Sequence, residues 1–247
     1  MDTILITGAT DGLGLALAHY YRPTAKRLIL VGRRAFQDVP LTEFDPNTYC
    51  RIDLAQANGA EVIDNWLEAR NIRHLDLLIH NAGTGYYGAI DQQSWADIEQ
   101  LVAVNLWAPI ALTRQLLPCL QKRRGKVVFI SSVAAMLPAP DYAVYGATKA
   151  ALDGFARSLR VELKGSIDIQ VIHPGAARTG MHAKSGISRE TMDWERFPPT
   201  EKVAKKIAKA IATKKPSVTI GAGNSLLGFA GLYLGRVIDR FMQRRQR

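Results

Sequence analysis

The sequence predicts an α/β fold of one domain, in which a doubly wound parallel sheet of seven strands carries helices on both faces. Of its 247 residues, 47% are hydrophobic, which is enough for one sizeable core. Seven short apolar runs lack the alternation of half-exposed strands, so we expect strands that are buried on both faces. Amphipathic segments of helical length separate most of these runs, which is the pattern of βαβ units. The predicted strands are 2–7, 27–32, 48–53, 75–80, 125–131, 167–173 and 217–221.

The connections between these strands carry further predictions about helices. The link between the second and third strands has about fifteen residues and contains Pro40 and Pro46, so any helix in it must be short. Long helices are predicted at about 95–121 and 142–164. An amphipathic helix is predicted over 200–215.

The net charge of +10 is concentrated in the C-terminal part of the chain. Residues 201–247 hold eleven lysines or arginines against two acidic residues. We take 1–223 to be the domain and 224–247 to be a basic, partly apolar tail. The lysines of the predicted helix 200–215 are interpreted as a solvated face. No nucleic-acid site is expected, because no stacking aromatic residues interleave the lysines.

The tail leaves two interpretations open. Its apolar run, Leu226 to Leu234, spans nine residues, whereas a helix needs ~20 residues to cross a bilayer. It could lie in a membrane interface, with its arginines towards anionic headgroups. It could equally form a helix that covers the domain or a neighbouring subunit.

The cysteines, the histidines and the N-terminus indicate a reducing compartment and no metal site. Cys50 and Cys119 lack metal-type or C-x-x-C spacing, and none of the five histidines pairs with a second ligand at metal spacing. The short apolar run after Asp2 does not match a secretory signal, whose apolar core runs ~7–15 residues. The expected location is therefore cytoplasmic, with peripheral contact at a membrane if the tail binds lipid.

A glycine-rich segment, TGATDGLG from Thr7 to Gly14, directly follows the first predicted strand and opens a helix. Gly8 permits a tight turn, Gly12 lets a pyrophosphate approach the backbone, and Gly14 allows close packing of helix and strand. The N-terminus of the helix then presents free N–H groups and a positive dipole end to phosphates. In this context the motif predicts a dinucleotide site.

The end of the second predicted strand indicates which dinucleotide is bound. Gly32 occupies the position where dinucleotide folds usually carry a ribose-binding Asp or Glu, and Arg33 and Arg34 follow it. Guanidinium groups hold phosphate oxygens bidentately, so NADP(H) is favoured as the cofactor and NAD(H) is the alternative. Asp11, in the glycine loop, could repel a 2′-phosphate and oppose this preference.

Tyr145 and Lys149 lie four residues apart and therefore share one face of a helix. By itself, such a pair is commonly an aromatic ring packed under a lysine stem. Together with the glycine loop, however, the pair makes the sequence resemble the short-chain dehydrogenase/reductase family over nearly its whole length. Besides Thr-Gly-x-x-x-Gly-x-Gly and Tyr-x-x-x-Lys, the resemblance rests on Asp53, Leu54, Asn81, Ala82, Gly83, Asn105, Ser132, Pro174, Gly175 and Thr179.

The resemblance implies a single-domain Rossmann fold with four catalytic residues. Tyr145 would exchange a proton with the substrate oxygen, and Lys149 would lower the pKa of Tyr145 and hold the nicotinamide ribose. Ser132 would donate a hydrogen bond to the carbonyl oxygen, and Asn105 would hold a water beside Lys149. The implied cofactor contacts are Gly8, Thr10, Asp11, Gly12, Leu13, Gly14, Arg33, Arg34, Asp53, Leu54, Asn81, Ala82, Gly83, Tyr145, Lys149, Pro174, Gly175 and Thr179.

The predicted function is NADP(H)-dependent transfer of a hydride between nicotinamide and a carbonyl or alcohol substrate. Two alternatives stay open: a non-catalytic dinucleotide-binding redox regulator, and a lipid carbonyl reductase at a membrane surface. The resemblance implies a homodimer or homotetramer built through the two long helices. The irregular loop at about 175–199 is the expected substrate lid. Candidate residues for an apolar pocket, each equally explained by ordinary packing, are Met136, Leu137, Tyr142, Met181, Trp194 and Phe197.

Overall fold

The computed structural model describes residues 2–187, 192–235 and 238–240. Its strands are β1 Thr3–Thr7, β2 Arg27–Gly32, β3 Tyr49–Arg51, β4 Leu77–His80, β5 Lys126–Ile130, β6 Asp168–Pro174 and β7 Ser217–Ile220. They form one parallel sheet in the order β3-β2-β1-β4-β5-β6-β7. The seven predicted strands and the doubly wound parallel sheet are therefore confirmed.

The helices between the strands are close to those predicted. In the described part of the chain, the α-helices are α1 Gly12–Tyr21, α2 Gly59–Glu68, α3 Trp95–Val102, α4 Ala108–Gln121, α5 Ala143–Glu162, α6 Met181–Lys184, α7 Thr200–Ile211 and α8 Ala222–Tyr233. The predicted helix 95–121 consists of α3 and α4, joined by a π-helical turn at Ala103–Trp107. The predicted helix 200–215 ends earlier, at Ile211. The homodimer or homotetramer expected through the long helices stays a prediction.

Successive strand residues point to opposite faces of the sheet, and both faces are covered. Ile4 and Ile6 of β1 pack in a core that includes α1 and α7. Leu5, between them, packs in a second core that includes α2, α4 and α5. Because each face meets helices, both sets of strand side chains leave water, which explains the continuous apolar runs in the sequence.

The direction of chain winding reverses at β1. Strands β2 and β3 lie on one side of β1, and β4 to β7 lie on the other. The connections that leave the carboxyl ends of β1 and β4 therefore run in opposite directions and open a crevice between them. On the β2 side, the link to β3 contains short 3₁₀ turns at Phe36–Asp38 and Pro46–Thr48 in place of a longer helix, as predicted.

Helix α8 begins just before the predicted domain boundary at Gly223 and lies against the domain. A Cβ atom at Gly231 would lie 2.0 Å from the carbonyl oxygen of Met136, so the helix and that segment are in close contact. Within 2–187, 192–235 and 238–240, no helix combines the length and the apolar character needed to cross a membrane. Residues 236, 237 and 241–247 of the predicted tail lie outside the described residues.

The packing of α1 against the glycine loop predicts a large difference between two glycine-to-alanine substitutions. A Cβ at Gly14 would lie 2.1 Å from the carbonyl oxygen of Gly8, whereas a Cβ at Gly154, on the exposed face of α5, meets nothing within 4 Å. Gly14→Ala should lower the free energy of unfolding by about 1–3 kcal/mol through overpacking. Gly154→Ala should raise it by about 0.5–1 kcal/mol, because alanine loses less backbone entropy in a helix. Urea unfolding of both variants measures this, and equal effects would contradict the tight contact at Gly14.

Candidate active site

A cleft with a volume of about 1090 Å³ opens at the carboxyl edge of the sheet. Its walls include the glycine loop, the segments after β4 and β5, the first turns of α5 and the segment after β6. Every residue predicted to contact a cofactor lines this cleft except Gly14, and Ser132 lines it as well. This volume lies slightly above the usual range for ligand sites, ~300–1,000 Å³.

The glycine loop combines left-handed backbone positions with unusually close contacts. Gly8 has a φ of +64° and Gly12 a φ of +51°, a region that favours glycine. A Cβ at Gly8 would lie 2.7 Å from the Cα of Ala82, so no side chain fits there. The contact between Gly14 and Gly8 is the close packing that the sequence predicts for Gly14.

Asn81, directly after β4, ties the glycine loop to the sheet. Its side-chain amide donates to the carbonyl oxygens of Thr7 and Gly8, at 3.0 and 3.1 Å. The backbone N–H groups of Asn81 and Ala82 both donate to the Thr7 hydroxyl, at 3.1 Å. The loop is therefore held in place by the protein itself, without help from a ligand.

Asp11 has partners that the sequence does not reveal. Its carboxylate caps α1 by accepting a hydrogen bond from the N–H of Gly12, at 2.7 Å, and forms an ion pair with Lys184 of α6. Burial raises the pKa of Asp11, but the hydrogen bond and charge of Lys184, the N–H of Gly12 and the charge of Arg34 together outweigh it, so the pKa lies below its usual value. Because Lys184 offsets the negative charge, the repulsion expected between Asp11 and a 2′-phosphate is weaker than the sequence suggests.

Arg33 and Arg34 lie on the rim of the cleft in different surroundings. The Nη2 atom of Arg34 donates to the carbonyl oxygen of Thr10, at 2.8 Å, and its own carbonyl accepts from the Tyr49 hydroxyl, at 2.6 Å. The exposed guanidinium of Arg33 makes no such bond to any residue that the structure describes. The guanidinium of Arg33 is therefore available to a ligand, whereas that of Arg34 already uses one nitrogen to hold Thr10.

The presence of glycine at position 32 is explained by close packing as well as by a preference for one cofactor. A Cβ at this position would lie 2.4 Å from the Thr10 methyl group and 2.8 Å from the Tyr49 hydroxyl oxygen. An acidic side chain could enter only if both neighbours moved. The absence of Asp or Glu at Gly32 therefore says less about the cofactor than the sequence alone suggests, and the argument for NADP(H) rests on the arginines.

Ser132 and Tyr145 come together where β5 ends and α5 begins. Ser132 has an extended backbone, and its hydroxyl accepts a hydrogen bond from the N–H of Ala134, at 3.1 Å. Loss of water around the phenol raises the pKa of Tyr145 above 10, and a hydrogen bond with Ser132 offsets part of this shift. Tyr145 therefore keeps its proton at neutral pH in this structure.

Lys149 is buried, and its ammonium points at the end of β5. Its Nζ donates to the carbonyl oxygen of Ile130, at 3.0 Å, and lies 5.8 Å from the centre of the Tyr145 ring. Burial lowers the pKa of Lys149 to about 8, although the negative charge of Asp153 acts in the opposite direction. The expectation that Lys149 brings the pKa of Tyr145 below its usual value is wrong for this structure, because desolvation of the phenol dominates.

Asn105 lies behind the cleft rather than on its surface. It is fully buried in the π-helical turn, where its side chain exchanges hydrogen bonds with the backbone of Thr84, each of 2.9 Å, and donates to Thr148. Gly83 lies between Asn105 and Lys149, since a Cβ at Gly83 would be 3.4 Å from Asn105 Oδ1 and 3.5 Å from Lys149 Nζ. The water that Asn105 is expected to hold beside Lys149 stays a prediction.

The residues predicted to line an apolar pocket have three different outcomes in the structure. The lining residues of the cleft include Leu137, Tyr142, Met181 and Phe197. Of the two explanations left open for Met136, ordinary packing holds, because this residue packs under α8 and is absent from the lining of the cleft. The side chain of Trp194 and residues 188–191 of the predicted lid lie outside the described residues.

Sequence reasoning missed several residues of the cleft, of which two carry large side chains next to the predicted substrate residues. Tyr87 and Met192 line the cleft beside the predicted residues. The ring of Tyr87 lies 5.2 Å from that of Tyr142, which lies 5.8 Å from that of Tyr145. The available signal for Tyr87 was its place soon after β4, because the carboxyl ends of parallel strands meet at one edge.

Known proteins share both the sequence pattern and the fold. The family model for short chain dehydrogenases matches residues 2–190. The dehydrogenase/reductase SDR family protein 7-like of Drosophila melanogaster is 32% identical over 236 residues, which cover 88% of this chain and 72% of that protein. The dehydrogenase/reductase SDR family member 7B of Bos taurus is also 32% identical, over 237 residues and the same shares of the two chains.

A solved short-chain dehydrogenase from Streptomyces avermitilis has the same architecture. It superposes with a TM-score of 0.81 at 25% identity, and the match covers 99% of this chain and 96% of that one. The family match extends from β1 through the glycine loop, Ser132, Tyr145 and Lys149, so it includes both halves of the cleft. The chain therefore belongs to the short-chain dehydrogenase/reductase family of oxidoreductases.

Proposed function

We propose that the protein is an NADP(H)-dependent oxidoreductase that interconverts a carbonyl compound and its alcohol, with Tyr145 as the acid/base. The observation that carries the proposal is the meeting of two sites in one cleft. The glycine loop forms one part, and Ser132, Tyr145 and Lys149 form another. A ligand that extends from the loop to the tyrosine would present its reactive end to a proton donor.

The glycine loop fits a dinucleotide phosphate on two grounds. Side chains are absent where they would obstruct the approach, at Gly8 and Gly12, and the N-terminus of α1 begins at Gly12. The guanidinium of Arg33 on the rim adds a donor for a 2′-phosphate. When bound, the nicotinamide would supply or accept the hydride.

Tyr145 is suited to donate a proton during reduction. Its raised pKa keeps the phenol protonated at neutral pH, and Ser132 lies within hydrogen-bond reach of the same hydroxyl. A substrate oxygen placed between them would receive two hydrogen bonds while negative charge develops on it. Lys149, held by the Ile130 carbonyl, keeps a positive charge close to the Tyr145 ring.

Replacing Tyr145 by phenylalanine tests the catalytic proposal. The change removes the hydroxyl and keeps the ring, so kcat for reduction across a panel of carbonyl compounds should fall by ~10²–10⁴-fold while cofactor still binds. Tyr142→Phe is the matched control, because Tyr142 lines the same cleft next to Tyr145. The control should keep most of the turnover. If Tyr145→Phe keeps more than about a tenth of the wild-type kcat, Tyr145 is not the acid/base, and a protein without turnover on any substrate would favour the regulator alternative.

The pKa of Lys149, lowered to about 8, together with the raised pKa of Tyr145, predicts the pH dependence of carbonyl reduction. Both groups hold their protons at low pH and lose them as the pH rises. The reductive kcat/KM should therefore be level between about pH 6 and 7 and should fall above about pH 8. Alcohol oxidation needs the phenolate and should rise over the same range. Initial rates at constant ionic strength in both directions give the two profiles, and a reductive profile that climbs with pH would contradict these assignments.

The cofactor preference is tested at Arg33. Loss of a charge-assisted hydrogen bond costs ~1.5–3 kcal/mol, so Arg33→Ala should weaken NADP(H) binding roughly ten- to a hundredfold. NAD(H) lacks the 2′-phosphate and should bind with nearly unchanged affinity. Arg27→Ala, at the other end of β2, is the matched control for the loss of one positive charge. Dissociation constants from cofactor fluorescence decide the matter, and equal losses for both cofactors would mean that Arg33 does not contact the 2′-phosphate.

A further inference from the structure

Helix α8 turns its smallest residues towards the protein. Gly228 is buried, and a Cβ there would lie 2.9 Å from the methyl group of Met136. At Gly231 a Cβ would meet the carbonyl oxygen of Met136 and the side chain of Leu137. Asn224, one turn before Gly228, lies close to Gly175. The inner face of α8 is therefore formed by residues that contribute little apolar area to the core.

The large apolar residues of α8 point the other way. They are between 50% and 71% exposed, and they are Leu226, Leu227, Phe229, Leu232, Tyr233 and, directly after the helix, Leu234. A helix turns by ~100° per residue, so these positions cover an arc of roughly 220° opposite the inner face of α8. We call these six residues the outer face of α8. On a protein surrounded by water, an exposed apolar surface of this kind marks a site that interacts with a partner or a membrane.

The width of the outer face and the charge of the sequence that follows it point to one occupant. A single partner helix needs an apolar stripe ≳100° wide, whereas a helix lying in a lipid interface is surrounded over a wider arc. The sequence from Leu234 onwards adds five arginines and one acidic residue, Asp239. Anionic lipid headgroups supply the opposite charge, whereas a second copy of this chain brings the same net charge of +10.

We propose that the outer face of α8 docks this protein on the surface of a membrane that contains anionic phospholipid. The six apolar side chains enter the boundary between headgroups and acyl chains, and the net positive charge of the sequence after Leu234 favours anionic headgroups. Tyr233, whose ring lies 4.7 Å from that of Phe229, places a hydroxyl at the level of the headgroups. The helix lies on the membrane and does not cross it.

Docking through α8 would also bring the active-site cleft close to the lipid. The inner face of α8 contacts Leu137, which lines the cleft. The cleft and the outer face are thus separated by one helix. The docking proposal does not depend on the proposed activity, because binding to vesicles is measured without turnover.

Co-sedimentation with vesicles tests the docking of the full-length protein. It should pellet with phosphatidylcholine vesicles that contain phosphatidylserine and bind much less to phosphatidylcholine alone or at high salt. The variant Leu226→Gln/Leu232→Gln should lose at least about tenfold in partition coefficient, because two apolar side chains no longer enter the interface. The matched control is Tyr20→Gln/Ile90→Gln, which removes two exposed large side chains that lie outside α8 and outside the helices predicted to join subunits. The control should bind like the wild type.

Three outcomes would overturn the proposal. The first is wild-type protein that stays in the supernatant with anionic vesicles at low salt. The second is equal loss of binding in the α8 variant and the control, which would show that the outer face has no special part. The third is a change from dimer to monomer in the α8 variant by sedimentation equilibrium without a change in vesicle binding, which would mean that the outer face covers a second copy. Thermal unfolding of both variants confirms that each is folded before binding is compared.

Discussion

The arrangement of the site depends on the close contact between the glycine loop and the segment after β4, where the two backbones leave no room for a side chain at Gly8. A Cβ at Gly8 would lie 2.7 Å from the Cα of Ala82. The same region is bound by the side chain of Asn81, which satisfies the carbonyl groups of Thr7 and Gly8. This contact determines where α1 begins and where the floor of the cleft lies. The rest of the site is arranged around it, because β4 also leads to Gly83 and, behind it, Asn105.

The catalytic side of the cleft is governed by the loss of water rather than by attraction between charges. Desolvation raises the pKa of Tyr145 and lowers that of Lys149, so each group is shifted towards its neutral form. A hydrogen bond with Ser132 offsets part of the shift in the pKa of Tyr145, and the negative charge of Asp153 offsets part of the shift in the pKa of Lys149. Where a bound substrate displaces the remaining water, interactions with its oxygen become stronger, since the local dielectric constant falls.

Large apolar residues are buried in the strands but exposed on helix α8. The strands bury most of their large apolar side chains between the sheet and a helix, as Leu5 of β1 illustrates. Helix α8 instead packs through Gly228 and Gly231 and leaves Phe229 in water. The apolar residues of α8 therefore do not by themselves show which face of this helix is buried. In α8 the direction of packing was decided by the narrow space above Met136, which admits a glycine backbone and little else.

The sequence by itself determined the seven strands, the glycine loop and the family, because each depends on local residue types at local spacing. Tertiary structure alone decided which distant groups meet. Lys184 pairs with Asp11, Tyr49 fills the space beside Gly32, and Tyr87 joins the cleft. It also decided the pKa shift of Tyr145, which follows from how much water surrounds the phenol and not from the lysine four residues later. Desolvation and contact between remote segments are properties of the packed chain, and no spacing along a sequence encodes them directly.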